Sequence, residues 1–161
     1  MFGAGVVGVL VVIAAVFLLT NQGGGGGKKT GATHTSASPS ASTNPDLPAG
    51  VKCVGAGCTG KDAEAMGCTT DAGAVTTAET ATVGTTVVEV RYSKTCGAAW
   101  GRITAGVPGD SVQVSAGTAK ESDSITTAGD NIAYTPMVAV KDAGEAKACV
   151  TLASGRKGCT A

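Results

Sequence analysis

Histidine is almost missing from this chain of 161 residues: His34 is the only one, and it sits in a stretch of Gly, Ser, Thr, Ala and Pro. Residues 51–161 therefore cannot assemble a Ser-His-Asp or Cys-His catalytic arrangement of their own. Charge of either sign is also in short supply. The same residues carry ten basic and eleven acidic side chains, and the whole chain has a formal net charge of zero. A polyanion-binding surface has no electrostatic footprint here, so no direct nucleic-acid contact by this domain is expected. No Cys-x-x-Cys pair with a matching His or Cys occurs, so neither a metal site nor a cofactor is expected. Aromatic residues make up 3% of the chain. Beyond residue 50 they are Tyr92, Trp100 and Tyr134 alone, and the other large apolar side chains are mostly valine, so the core is thin.

What is abundant lies first at the front. Residues 2–19 form an unbroken run of 18 apolar or glycine residues. At a helical rise of about 1.5 Å per residue, such a run covers the hydrocarbon core of a bilayer. The string GAGVVG, Gly3 to Gly8, matches a dinucleotide-binding fingerprint in letters only. The fingerprint needs a strand just before it, where this sequence shows only Met1 and Phe2, and an acidic residue about 20 positions on, whereas the first carboxylate is Asp46. Ala4 and Gly8 have the small-xxx-small spacing that lets helices approach in lipid. A cleaved signal peptide would need a basic front and a small-x-small exit, and neither is present. Residues 1–20 thus read as a single uncleaved transmembrane helix, and the membrane as the first partner.

Residues 21–50 change composition abruptly to Gly, Ser, Thr, Ala and Pro, which bury too little apolar area to order themselves, so they read as a flexible linker. Lys-Thr-Gly at 29–31 echoes a penicillin-recognising triad but lacks its partner motifs. Residues 51–161 then form one domain and hold all six cysteines: Cys53, Cys58, Cys68, Cys96, Cys149 and Cys159. An even number, confined to the segment beyond a membrane anchor, points to disulfides in an oxidising space. The turn Ala153-Ser154-Gly155 places Cys149 opposite Cys159 on paired strands. The glycines of CVGAGC allow a small Cys53–Cys58 ring, which leaves Cys68 with Cys96.

Period-two patterning predicts an all-β domain, a small antiparallel barrel or sandwich stapled by disulfides. The clearest strand is TTVVEVRYS at 85–93, with Val88, Val90 and Tyr92 on one face and Val87, Glu89 and Arg91 on the other. AAWGRIT follows, although CGAAWGRI also reads as a helical stretch because of its alanines. The turn VPGDS precedes DSVQVSAG, with Val112 and Val114 inward. IAYTPMVAVK and ACVTL flank residues 142–145, which carry a hairpin signal.

The strings VKCVGAGCTGKDAEAMGC and VEVRYSKTCGAAWGRI resemble the YjfA-like family, small extracytoplasmic bacterial domains of unknown function found in actinobacteria and some bacilli. Arg91-Tyr92-Ser93, Cys96 and Trp100-x-Arg102 carry the resemblance most specifically; Met66-Gly67 and Gly101 depart from the common pattern. The resemblance implies secretion or membrane tethering and supplies no accepted activity. Some actinobacterial members of that family carry a cytosolic helix-turn-helix domain before the membrane helix. Here Lys28 and Lys29 follow the apolar run and no positive residue precedes it, against the positive-inside tendency for an external domain. Arg/Lys-rich residues are therefore expected upstream of Met1.

Arg91, Tyr92, Trp100 and Arg102 are the candidate binding residues, because Arg beside aromatics is the composition of interface hot spots. Asp62, Glu64, Glu89 and Asp110 would have to converge in pairs to do glycosidase-like chemistry, and nothing in the sequence brings any two together. The expectation is a non-catalytic, membrane-tethered binding module at the cell envelope, facing a wall polymer or an envelope protein. The alternative is the extracytoplasmic sensor part of a transmembrane regulator.

Overall fold

The computed structural model describes residues 46–161. The predicted membrane helix and nearly all of the predicted linker lie outside these residues. Among the described residues no helix is long and apolar enough to cross a membrane.

Among the described residues, nine strands form two antiparallel sheets. In the first, β1 (Val75–Val83), β2 (Thr86–Ser93), β3 (Ala98–Thr104) and β6 (Ala133–Tyr134) follow one another in that order, and β7 (Val138–Ala139) also pairs with β3. In the second, β5 (Ala119–Ser124), β4 (Ser111–Ala116), β8 (Lys147–Thr151) and β9 (Lys157–Cys159) lie side by side. The sheets do not close on each other, so of the two predicted arrangements the barrel is wrong. Their inner faces share one core of Val83, Val88, Val90, Val112, Val114, Val138, Val150 and Ile103. Valine dominates it, as β-branched side chains fit a pleated surface packed on one side.

The alanines of β3 do not make a helix. Ala99 pairs with Tyr92 and Arg102 with Glu89, so cross-strand pairing overrides local propensity. Gly101 shows why a small residue stands there: a Cβ would lie 2.9 Å from Val112 Cγ2 and 3.3 Å from Thr135 Cγ2. Its absence lets the second sheet approach the first. Residues 133–139 run beside β3 as one interrupted strand, because Pro136 has no N–H to donate. Thr135 fills the gap: its N–H donates to Gly101 O and its Oγ1 accepts from Gly101 N, both at 2.9 Å.

Residues 142–145 do not make a hairpin. β7 belongs to the first sheet and β8 to the second, so this segment crosses between them. It coils into a short 3₁₀ turn, Ala143–Glu145, in which Asp142 Oδ1 accepts from Gly144 N–H at 2.9 Å. The Pro108-Gly109 turn likewise carries the chain from one sheet to the other.

Residues 47–73 contain no strand and cover one end of the outer face of the first sheet. Val51, Cys53, Cys58, Ala63 and Cys68 pack there against Cys96, Ala98, Trp100 and Met137, forming a second small core. The covering segment is held by backbone bonds from Gly60 N to Met137 O and from Met137 N to Lys61 O, both 2.9 Å. Disulfides Cys53–Cys58 and Cys68–Cys96 sit inside it, and Cys149–Cys159 bridges β8 and β9. All three pairs are those expected from spacing and turn geometry, and no cysteine is free.

Gly67 is fixed by its surroundings. Its φ is +73°, and a Cβ would lie 2.0 Å from Gly50 O. Gly67→Ala is expected to lower stability by at least about 2 kcal/mol, since the left-handed backbone alone costs roughly 1–2 kcal/mol for a residue with a Cβ. Denaturant unfolding checks this, and a loss below half that figure would contradict the packing described.

Candidate functional site

Period-two geometry sorts the predicted binding residues. Glu89 and Arg91 on β2 point to the outer face of the first sheet, and so do their cross-strand partners Arg102 and Trp100 on β3. Tyr92, one position on, points the other way. It is half-buried, packs against the main core, and its hydroxyl donates to Lys141 O at 3.4 Å. Three of the four candidates thus share a face and the fourth does not.

Tyr134 joins the three, because it pairs with Arg102 across β3 and β6. The Arg102 guanidinium lies 5.8 Å from the centre of the Tyr134 ring, within cation–π range. Arg102 Nη1 also sits 3.4 Å from Glu89 Oε2, and Arg91 Nη1 is 3.9 Å from the same oxygen. Arg91 Nη1 further donates to Thr77 Oγ1. Glu89 Oε2 and Arg102 Nε are both shielded from solvent and have no hydrogen-bond partner, so charge alone holds this pair. One carboxylate therefore aligns two guanidinium groups on an otherwise Thr-rich strand surface. A partly exposed pair of this kind contributes only about 0–1 kcal/mol to folding, so its interest is in positioning.

Beside this group lies a cavity of about 190 Å³, lined by Asp62, Glu64, Thr69, Trp100, Tyr134 and Thr135. Trp100 is 2% exposed and forms its inner wall, while Tyr134 is 47% exposed and stands at the open side. Asp62 and Glu64 come from the covering segment. There Asp62 Oδ1 accepts from Ala65 N–H at 2.7 Å, Met66 N donates to Asp62 O, and Gly67 N donates to Glu64 O. Disulfide Cys68–Cys96 closes the same loop onto the sheet. Sequence spacing does not bring these carboxylates to Trp100; the Cys68–Cys96 bridge and the backbone bonds between Gly60, Lys61 and Met137 do so together.

The remaining carboxylates do not converge on it. Asp110 is buried, and its two oxygens accept from Thr86 Oγ1, Val107 N and Ala153 N at 3.1, 3.1 and 2.8 Å, a structural post between the sheets. Glu89 is committed to the arginines. A broader groove of about 680 Å³ crosses the outer face of the second sheet, over Ser111, Gln113, Ser122, Thr151 and the Cys149–Cys159 bridge. It has neither an aromatic wall nor a carboxylate pair. The aromatic cavity is the better-equipped of the two.

Two open sheets stapled by three disulfides, with one aromatic-walled polar cavity under a tied loop, define a small disulfide-bonded β-sandwich domain. Residues 56–149 match the family described as protein of unknown function (DUF2690), and the chain belongs to that family. The matched span includes Arg91, Trp100, Arg102 and Tyr134, and stops short of Cys53 and Cys159. No curated protein matches the chain, and no solved structure does.

Proposed function

We propose that residues 51–161 form a non-catalytic module that binds a glycan of the cell envelope in the cavity between Trp100 and Tyr134. The observation that carries this reading is the lining itself. Aromatic walls give a sugar ring an apolar face to lie against, and Asp62 and Glu64 can accept from its hydroxyls or pair with an amino group. Arg102, aligned by Glu89 next to Tyr134, adds a donor at the rim.

The resemblance to YjfA-like domains and the apolar run at 2–19 support placing this module outside the membrane, tethered by a single-pass helix. Three disulfides fit the same compartment. The actinobacterial type of that family favours a wall polymer as the ligand. The charge asymmetry around residues 2–19 keeps a second reading in play, in which the same cavity is the sensor end of a transmembrane regulator. A helix-turn-helix encoded before Met1 supports that reading, and a short basic start opposes it.

Co-sedimentation of the full chain with purified wall polymer tests the binding. Tyr134→Ala, at an exposed position, is expected to weaken it roughly thirtyfold, about 2 kcal/mol, while leaving the unfolding midpoint nearly unchanged. Binding equal to wild type in Tyr134→Ala would move the ligand elsewhere. Release of soluble sugar during the incubation, lost in Glu64→Gln, would make the module an enzyme instead.

A further inference from the structure

The two disulfides of the covering segment are in contact with each other. Cys53 Sγ lies 3.9 Å from Cys68 Sγ, to which it is not bonded, and all four sulfurs of Cys53, Cys58, Cys68 and Cys96 fall within 4.8 Å of one another. A tetrahedral tetrathiolate centre with metal–sulfur bonds of about 2.3 Å has sulfur–sulfur edges of about 3.8 Å. The backbone therefore already gathers four ligand atoms into nearly the volume such a centre fills. The sequence hides this, because the spacing contains no Cys-x-x-Cys pair and the fourth ligand comes from the β2–β3 connection.

We propose that these four cysteines, once reduced, form a site for one soft divalent cation, zinc foremost. The donor set is all sulfur, with no imidazole or carboxylate in the cluster, which selects zinc-like ions over calcium or magnesium. Cys58, Cys68 and Cys96 are fully buried and Cys53 is 6% exposed, so Cys53 is where a reductant first gains access. Each disulfide takes two electrons and two protons from a dithiol, which closes to its own cyclic disulfide. Binding of the cation then displaces four protons and leaves a tetrathiolate complex of net charge −2. The ion would hold residues 53–68 on β3 just as the bridges do, so the loop carrying Asp62 and Glu64 keeps its place in a reducing environment. Cys149 and Cys159 lie on the second sheet and supply no ligand to this cluster.

The test uses the full chain in mild detergent, reduced by a dithiol, desalted without oxygen and titrated with Co²⁺ as the spectroscopic probe. The expected result is a set of thiolate-to-cobalt charge-transfer and tetrahedral ligand-field bands that saturate at one equivalent and vanish on adding one equivalent of Zn²⁺. The oxidised chain shows no bands. Cys149→Ser with Cys159→Ser keeps them, whereas Cys58→Ser with Cys96→Ser loses them. Far-ultraviolet circular dichroism of the reduced chain, preserved or regained on adding Zn²⁺, accompanies the bands. Absence of tetrahedral bands, saturation beyond one equivalent, bands that survive Cys58→Ser with Cys96→Ser, or a reduced chain whose sheet signal Zn²⁺ cannot restore would each overturn the proposal.

Discussion

Replacing Cys68 and Cys96 together by serine is expected to lower the stability of the domain by roughly 3.5 kcal/mol, more than opening either other bridge. The chain-entropy estimate scales with the loop closed, and the separations are 28 residues for Cys68–Cys96, 10 for Cys149–Cys159 and 5 for Cys53–Cys58. The same estimate gives about 2.7 and 2 kcal/mol for the two shorter loops. The longest loop is also the one that matters to the site, since it fastens the strand-free cover to the β2–β3 connection. Denaturant unfolding of the three double variants, with the remaining bridges intact, should rank them in that order. A Cys68/Cys96 variant as stable as the Cys53/Cys58 variant would mean that the cover is held by packing alone. Glycan binding in the cavity is expected to fall with the same variant, because Asp62 and Glu64 are carried by the loop it frees.

The second large effect is expected at Trp100. It is 2% exposed and is the largest side chain of the minor core, packed with Val51, Ala98, Met137 and the buried cysteines. Trp100→Ala is expected to cost about 3–5 kcal/mol, the range for emptying a buried aromatic site that cannot fully collapse. Trp100→Phe fills most of the space and is expected to cost under half as much. A difference between the two below about 1 kcal/mol in the unfolding free energy would show that Trp100 works mainly as a cavity wall and little as core. The contrast with Tyr134 is instructive, as that ring is half-exposed and its removal should affect binding far more than folding.

The parts of the fold that announce themselves in the sequence are those where one face is buried. β2 alternates valine with charge, and its observed inward set Val88, Val90 and Tyr92 is the one read from the period. Cys149 and Cys159 could be paired because a Ser-Gly turn fixes the register around them, and the strands pair as the turn requires. β1, VTTAETATV, and β5, AKESDS, gave no such signal. Both are edge strands, β1 of the first sheet and β5 of the second, whose Thr-rich or charged faces meet water and so carry little hydrophobic period. The hairpin expected at 142–145 is instead a crossing between the sheets, because local turn chemistry does not say which strand comes next.

The site was legible in part for the same reason. Arg91, Trp100 and Arg102 come together through one hairpin, a local event. Tyr92 could have been excluded from the group by the alternation that placed Arg91, since neighbours on a strand face opposite ways. Tyr134 sits 32 residues beyond Arg102 on a two-residue strand next to a proline break, and Asp62 and Glu64 reach Trp100 through a strand-free segment held by a disulfide and by backbone bonds to Met137. Non-local pairings of this kind leave no mark on spacing or composition.

The joining of the six cysteines staples the cover to the first sheet and β8 to β9, and trypsin separates the possible pairings. Cys53 and Cys58 fall together in 53–61, Cys68 in 62–91, Cys96 in 95–102, Cys149 in 148–156 and Cys159 in 158–161. Mass spectrometry of the unreduced digest should find 53–61 lighter by two hydrogens, 62–91 linked to 95–102, and 148–156 linked to 158–161, with no alkylated thiol. Free thiols throughout, or 53–61 linked to either partner of the Cys68–Cys96 pair, would contradict the stapled sandwich and the cavity built on it.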